Sequence, residues 1–203
     1  SRLQRVVKEV TEQLEKCEFH FALSELEEFV VDVVSRQYVP MVRKDLWSDD
    51  PETLNRRLAV YTTLWHALKT LVLLFNPTTP YLSEDLYQKV YRELDTTLPK
   101  SMNFEKWPTP DESLQNPLLE QEFDLLLQCV SLAYSARQSA RLKRRWPLQR
   151  IMLVVPQPVR EALKKSEEVF LELANVKKVE YLEELPEVDL KKWTLVSSDG
   201  LHI

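Results

Sequence analysis

Arg144-Arg145-Trp146-Pro147-Leu148-Gln149-Arg150-Ile151-Met152-Leu153-Val154-Val155 is where the chain changes period. Upstream of it, apolar residues recur every three or four positions, the spacing of amphipathic helices. From Ile151 an unbroken apolar run rich in strand formers begins, closed by Pro156 and Pro158. The change predicts a helical part over residues 1–147 and a differently layered part over 148–203. Just upstream, Leu118, Phe123, Leu126, Leu127, Val130 and Tyr134 predict a helix from Pro117 to about Leu142. Residues Asp95 to Asn116, broken by Pro99, Pro108 and Pro110, read as a long external connection.

Further toward the N-terminus, Leu82, Leu86, Val90 and Leu94 form a stripe on a helix capped by Thr79 or Ser83, with Glu84 and Asp85 in its first turn. Asp50 and Pro51 open a helix that runs to about Phe75, apolar on enough sides to meet more than one neighbour. A first helix carries Leu3, Val6, Val7, Val10, Leu14 and Cys17. After a break around Phe19 to Phe21, a second carries Leu23 through Leu46, and Pro40 should distort it. On the other side of the junction, Val159 to Ala174 reads as helix, Val176 to Leu182 as strand, and Trp193 to Val196 as a further strand. The fold class is mainly α, a helical bundle followed by a small α/β subdomain.

Gly200 is the only glycine in 203 residues, against an average usage of about 7%. Phosphate-cradling loops need glycine, so neither a P-loop nor a dinucleotide fold is expected here. Cys17 and Cys129 are far apart and read as two reduced residues in or near the core. His20, His66 and His202 lie in separate contexts without metal-ligand spacing, and no serine sits in a nucleophile elbow. No catalytic residue, metal ligand or bound cofactor is expected in this chain. Without a signal-peptide layout or an unbroken apolar run of about 18 residues, the chain reads as cytoplasmic with no membrane partner.

The formal charge is −5, which by itself speaks against a nucleic-acid ligand. Its distribution points the other way. Arg137, Arg141, Lys143, Arg144, Arg145 and Arg150 follow one another with no acid between them, while all 32 acidic residues lie elsewhere. A concentrated basic segment can track a phosphate backbone and gain affinity by releasing counterions. Arg137 and Arg141 sit one helical turn apart, and Lys143 to Arg145 fall where the helix ends. Trp146 reads as a buried hinge at the junction, with stacking on an unpaired base as the other role open to it. A second pair, Arg36 and Arg43, is seven apart on the second helix, about one face of an α-helix, where it meets phosphate or pairs with acids such as Asp32.

At these segments the chain resembles a known family. Ser35-Arg36-Gln37-Tyr38-Val39, followed by Arg43 and Leu46-Trp47, resembles the second bundle helix of isoleucyl-tRNA synthetases, with Gln37 in place of the usual tryptophan and Pro40 as an addition. Asn76-Pro77-Thr78-Thr79-Pro80-Tyr81-Leu82-Ser83-Glu84-Asp85-Leu86-Tyr87 is similar to the turn that class I synthetases place between bundle helices; Asn76 and Thr78 depart from it. Asn103-Phe104-Glu105-Lys106-Trp107-Pro108 resembles the stretch after that helix. Arg144-Arg145-Trp146-Pro147-Leu148 resembles the passage into the C-terminal junction domain. Valyl enzymes usually carry Asp-Trp-Tyr where Ser35 to Tyr38 stand here. The lack of cysteine clusters is closer to archaeal and eukaryotic-type enzymes than to zinc-tailed bacterial ones.

The resemblance implies the anticodon-binding bundle of an isoleucine-tRNA ligase, a participant in protein biosynthesis. The expected ligand is the anticodon stem and loop of an isoleucine-accepting tRNA, contacted by Arg36, Arg43, Arg137, Arg141, Lys143, Arg144, Arg145 and Trp146. ATP and magnesium would be used by a catalytic domain outside this sequence, and that catalytic domain and an editing domain would be the partners in the same protein. Two alternatives stand beside it: the corresponding domain of a valyl or leucyl enzyme, and a helical protein-interaction scaffold.

Overall fold

A computed structural model describes residues 1–184, 194–198, 201 and 202. The chain divides into two compact units, Ser1–Gln115 and Asn116–Ile203. The first holds α1 (Arg2–Glu15), α2 (Phe19–Glu28), α3 (Val39–Leu46), α4 (Leu54–Phe75) and α5 (Pro80–Leu86). Between α2 and α3 the helical path continues without a break, but as a π-helix over Phe29–Tyr38. This is the distortion expected of Pro40. Proline has no N–H for the carbonyl four residues back, and the wider i→i−5 pattern re-pairs the turns before it. A second π stretch, Tyr87–Arg92, extends α5.

The first core is built by Val6, Val7 and Val10 of α1 against Ala22 and Leu26 of α2, Phe29, and Leu71 and Leu74 of α4. Burying an aliphatic side chain of this kind stabilises by about 1.5–3 kcal/mol. A second cluster joins Tyr87, Tyr91 and Met102, with Trp65, Val72 and Leu73 of α4 against it. So α4 does serve two neighbours, yet Leu54, Leu58 and Leu68 stay exposed. With its 3-10 lead-in, Pro51–Phe75 is also long and apolar enough, by length and composition alone, to cross a membrane. Arg56, Arg57, His66 and Lys69 keep it from being an unbroken apolar run.

The stripe predicted for the α5 region is corrected. Leu82, Leu86, Val90 and Leu94 are exposed, and Ser83, Tyr87 and Tyr91 face inward instead. The aromatic pair prevails because it has partners: the Tyr91 ring meets Trp65 edge-on with centroids 4.6 Å apart, and the Tyr87 hydroxyl donates to Pro99 O and Glu105 Oε1. Burial and the neighbouring Glu105 carboxylate both raise the Tyr87 pKa.

Because α5 starts at Pro80 after Thr79, its first turn holds no acid, and the expected first-turn place of Glu84 and Asp85 is corrected. Glu84 instead accepts from Gln88 Nε2, Ser101 Oγ and the Met102 amide and so pins the proline-rich connection to the helix. That connection also donates from Trp107 Nε1 to Thr11 Oγ1 and from the Asp111 amide to Gln4 Oε1. Burial pushes the Glu84 carboxyl up, but the three hydrogen bonds outweigh it and hold the pKa below its ordinary value of 4.5. A folded-state pKa below the unfolded one gives stability that is present above pH 4.5 and lost as pH falls through the lowered value. Glu84→Gln should therefore flatten the acid limb of a stability-versus-pH curve, read by urea midpoints taken from pH 6 downward. An unchanged limb would remove Glu84 from the linkage.

The second unit begins with α6 (Pro117–Ser139), whose first turn is capped by Asn116 accepting from the Leu119 amide at 3.0 Å. Then follow β1 (Ile151–Val154), α7 (Gln157–Lys165), α8 (Glu167–Ala174), β2 (Val179–Leu182), β3 (Ser197–Ser198) and β4 (Leu201–His202). The sheet order is β2-β1-β4-β3, with β1 parallel to β2 from Ile151↔Val179 to Val154↔Leu182 and antiparallel to β4 at Val154↔His202. Of the strand expected at Trp193 to Val196, Trp193 lies outside the described residues and 194–196 are not in a strand.

The expected division at Pro147 differs from the compact units, which part at Gln115. The reason is the inner face of α6. Leu126, Cys129, Val130 and Ala133 share one core with Leu153, Leu163, Phe170 and Val179, so this helix packs with the sheet and its helices. Cys129 is in that core and its thiol is pushed up to about 11 by burial; Cys17, expected to be near or in the core, is exposed.

Three helix ends share one geometry. Cys17, Arg141 and Asn175 take left-handed φ values of 60°, 55° and 53°. In each case the next amide donates back five residues: Glu18 to Gln13 O, Leu142 to Arg137 O, and Val176 to Leu171 O. These are Schellman ends in which a side-chain-bearing residue occupies the position usually given to glycine. The α6 end comes after Ser139, three residues earlier than predicted.

Candidate nucleic-acid interface

The Schellman turn at Arg141 reverses the chain, so the basic segment leaves the helix as a loop beside the last turn of α8. Arg137 holds the two together. Its Nε and Nη2 donate to Ala174 O, Nη2 also to Asn175 O at 2.7 Å, and Nη1 to Trp146 O at 2.8 Å and Lys143 O at 3.5 Å. All five guanidinium donors are in use, and the residue is 2% exposed. Ala174 O is an orphan carbonyl at the negative end of α8, where a buried cation is stabilised, and Asn175 O beside it also accepts from the Leu148 amide at 3.1 Å. Burial lowers the Arg137 pKa; Tyr134 opposes it, and Arg144 nearby adds a still smaller lowering. Arginine starts so high that it keeps its charge.

Arg137 is therefore a correction to the predicted phosphate contacts. All its donors are taken within the protein, and it organises the loop that carries the other basic residues. The loop is further tied by Asn175 Nδ2 donating to Arg144 O at 2.9 Å.

On this frame the remaining basic residues project outward. Arg141, Lys143, Arg144 and Arg145 are exposed. The Arg144 guanidinium lies 3.4 Å from the centroid of the Tyr134 ring, whose hydroxyl donates to Leu173 O at 2.8 Å. Lys143 Nζ sits 5.9 Å from the centroid of the Trp146 indole. Trp146 is 48% exposed, which corrects the buried-hinge reading and leaves an aromatic face open for stacking. Arg150, at the end of the segment, pairs with Glu180 at 3.6 Å.

Arg36 and Arg43 belong to the other unit. Arg36 donates to Asp32 Oδ1 at 2.6 Å, the acid partner that the sequence offered, and both side chains are substantially exposed. Such a pair contributes only about 0.3–0.5 kcal/mol, so a phosphate can compete for the guanidinium. Arg43 is exposed and has no partner among the described residues. The spacing of seven that put the two on one face assumed an α-helix throughout; Arg36 lies in the π stretch and Arg43 in α3, so that assumption does not hold.

Tyr134 and Asn175 were not among the sequence candidates. Asn175 had a readable signal, an asparagine directly after an apolar helical run, the usual left-handed stop when glycine is absent. Tyr134 looked like one more core residue of α6, because nothing local brings a residue ten positions later back over its ring. Among the described residues no cluster of three or more histidine, cysteine or acidic side chains is arranged to hold a metal.

Residues 1–152 match the family described as the anticodon-binding domain of tRNA ligase. Among curated proteins, the chain is similar to the isoleucine-tRNA ligase of Methanothermobacter marburgensis, with 34% identity over 93% of this chain and 18% of that protein. The corresponding ligase of Methanopyrus kandleri is 37% identical over 92% of this chain and 17% of its own length. That of Pyrococcus furiosus is 35% identical over 88% and 16%. The chain thus spans less than a fifth of the length of these relatives. The helical bundle of the first unit together with α6 and the basic loop is what the family match covers, and on that match the chain belongs to the anticodon-binding domain family of tRNA ligases.

Proposed function

We propose that this chain is the tRNA-holding part of an isoleucine-tRNA ligase and grips the anticodon stem and loop of an isoleucine-accepting tRNA. The observation that carries the reading is the loop after α6, four exposed cations on a backbone anchored by Arg137 and flanked by an open tryptophan. Preorganised charges of this kind meet phosphates without the cost of ordering a flexible segment. The names of the archaeal relatives support isoleucine as the amino acid. ATP-dependent attachment would be the work of a catalytic domain outside these residues, in the cytoplasm, using magnesium; an editing domain would be a further partner in the same protein.

The test is a titration of the chain with an isoleucine-tRNA transcript across a salt series, repeated with a valine anticodon swapped in. A steep fall of affinity with salt and weaker binding of the swapped transcript are expected. Salt-independent binding, or none at low salt, sinks the reading; equal binding of both transcripts removes the anticodon as the feature read.

A further inference from the structure

The α3–α4 turn displays an indole that the basic loop after α6 leaves unexplained. Trp47 caps α3 and is 82% exposed, unusual for the largest apolar side chain. It is held there. The carbonyl before it, Leu46 O, accepts from the Tyr61 hydroxyl at 3.0 Å, and the carbonyl after it, Ser48 O, accepts from Arg57 Nη1. Both donors stand on α4, so the backbone on each side of Trp47 is fastened while the ring projects into solvent.

The surroundings suit a nucleotide. The Trp47 amide donates to Arg43 O at 3.3 Å, which places Arg43 one turn back on the same helix, and Lys44 is exposed beside it. The acids of the turn are largely committed: Asp45 is buried and bonded to Arg56 Nε at 2.9 Å, and Asp50 caps the next helix by accepting from the Glu52 amide. Asp49 and Glu52 remain exposed. An open aromatic face next to an uncommitted guanidinium is the combination that takes an unstacked base and its phosphate.

We propose that the end of α3 binds a single unstacked nucleotide of RNA, with the Trp47 indole stacking on the base and Arg43 meeting the adjoining phosphate. This rests on the RNA-binding reading given above but adds a contact in the other unit. The test titrates wild type, Trp47→Ala and Trp47→Phe with the tRNA transcript and with a short single-stranded RNA, following affinity and tryptophan quenching. Stacking on one base corresponds to roughly tenfold in affinity. Trp47→Ala should bind about tenfold more weakly with its melting curve unchanged, Trp47→Phe should recover most of the loss, and part of the quenching should vanish in both variants.

If wild type binds RNA and Trp47→Ala binds it equally well, the contact is overturned while the basic loop keeps its role, and the indole is then a surface for protein. If wild type binds no RNA, both are overturned.

Discussion

Arg137→Met lowers the stability of residues 116–203 by about 3–5 kcal/mol, the largest effect we expect from a single substitution in this chain. Methionine matches the length of the side chain and keeps it apolar, so little packing is lost. What is lost is every bond that Arg137 donates; Asn175 O keeps the Leu148 amide and Lys143 O keeps the Trp146 amide, so the loss falls on Ala174 O and Trp146 O. Carbonyls left buried without a partner cost about 1–3 kcal/mol each when water cannot reach them. The loop can swing outward to relieve Trp146 O, which is why the total stays below the sum of the bonds removed. Two measurements separate the parts: urea unfolding reports the loss of stability, and amide exchange at 143–146 reports the loop coming loose. Arg137→Lys keeps the charge but has three donors and no planar fork, and should recover less than half. A fully stable Arg137→Met would show that the five bonds are dispensable.

Lys143→Ala, Arg144→Ala and Arg145→Ala combined should weaken binding of the tRNA transcript on the order of 100-fold at moderate salt. The slope of log affinity against log salt should drop by about three, one unit for each phosphate contact removed. The fold should survive, because the loop is anchored through its backbone: Arg137 and Asn175 bond to the carbonyls of Lys143, Arg144 and Trp146 whatever side chains those residues carry. Loss of the Arg144 guanidinium from the Tyr134 face costs about 0.5–1 kcal/mol. An unaltered salt slope would place the phosphate contacts elsewhere on the chain.

Features set by local sequence were legible, and those set by distant contacts were not. Helices at Arg2–Glu15, Leu54–Phe75 and Pro117–Ser139 were legible because amphipathic period and caps such as Asp50 are local. The strand at Ile151 and its partner at Val179 were legible for the same reason. Arg137 was not. In a basic run it looks like its neighbours until the end of α8, 37 residues downstream, is laid beside it. The inward face at Tyr87 and Tyr91 was hidden by a competing leucine stripe of equal period, and only Trp65 and Met102 decide between them. The grouping of α6 with the sheet depended on Leu126 and Cys129 finding Phe170 and Leu153, contacts with no local trace.

The left-handed helix ends bear on the unfolded chain as much as on the folded one. A residue with a Cβ pays about 1 kcal/mol to sit where Cys17, Arg141 and Asn175 sit, and asparagine pays least. A sequence with a single glycine also has a stiffer denatured ensemble, so less backbone freedom disappears when it folds. Strain at the caps and economy in the coil act on opposite sides of the same equilibrium. The turn that throws the basic loop outward is thus tolerated by a chain whose disordered state has little flexibility to give up.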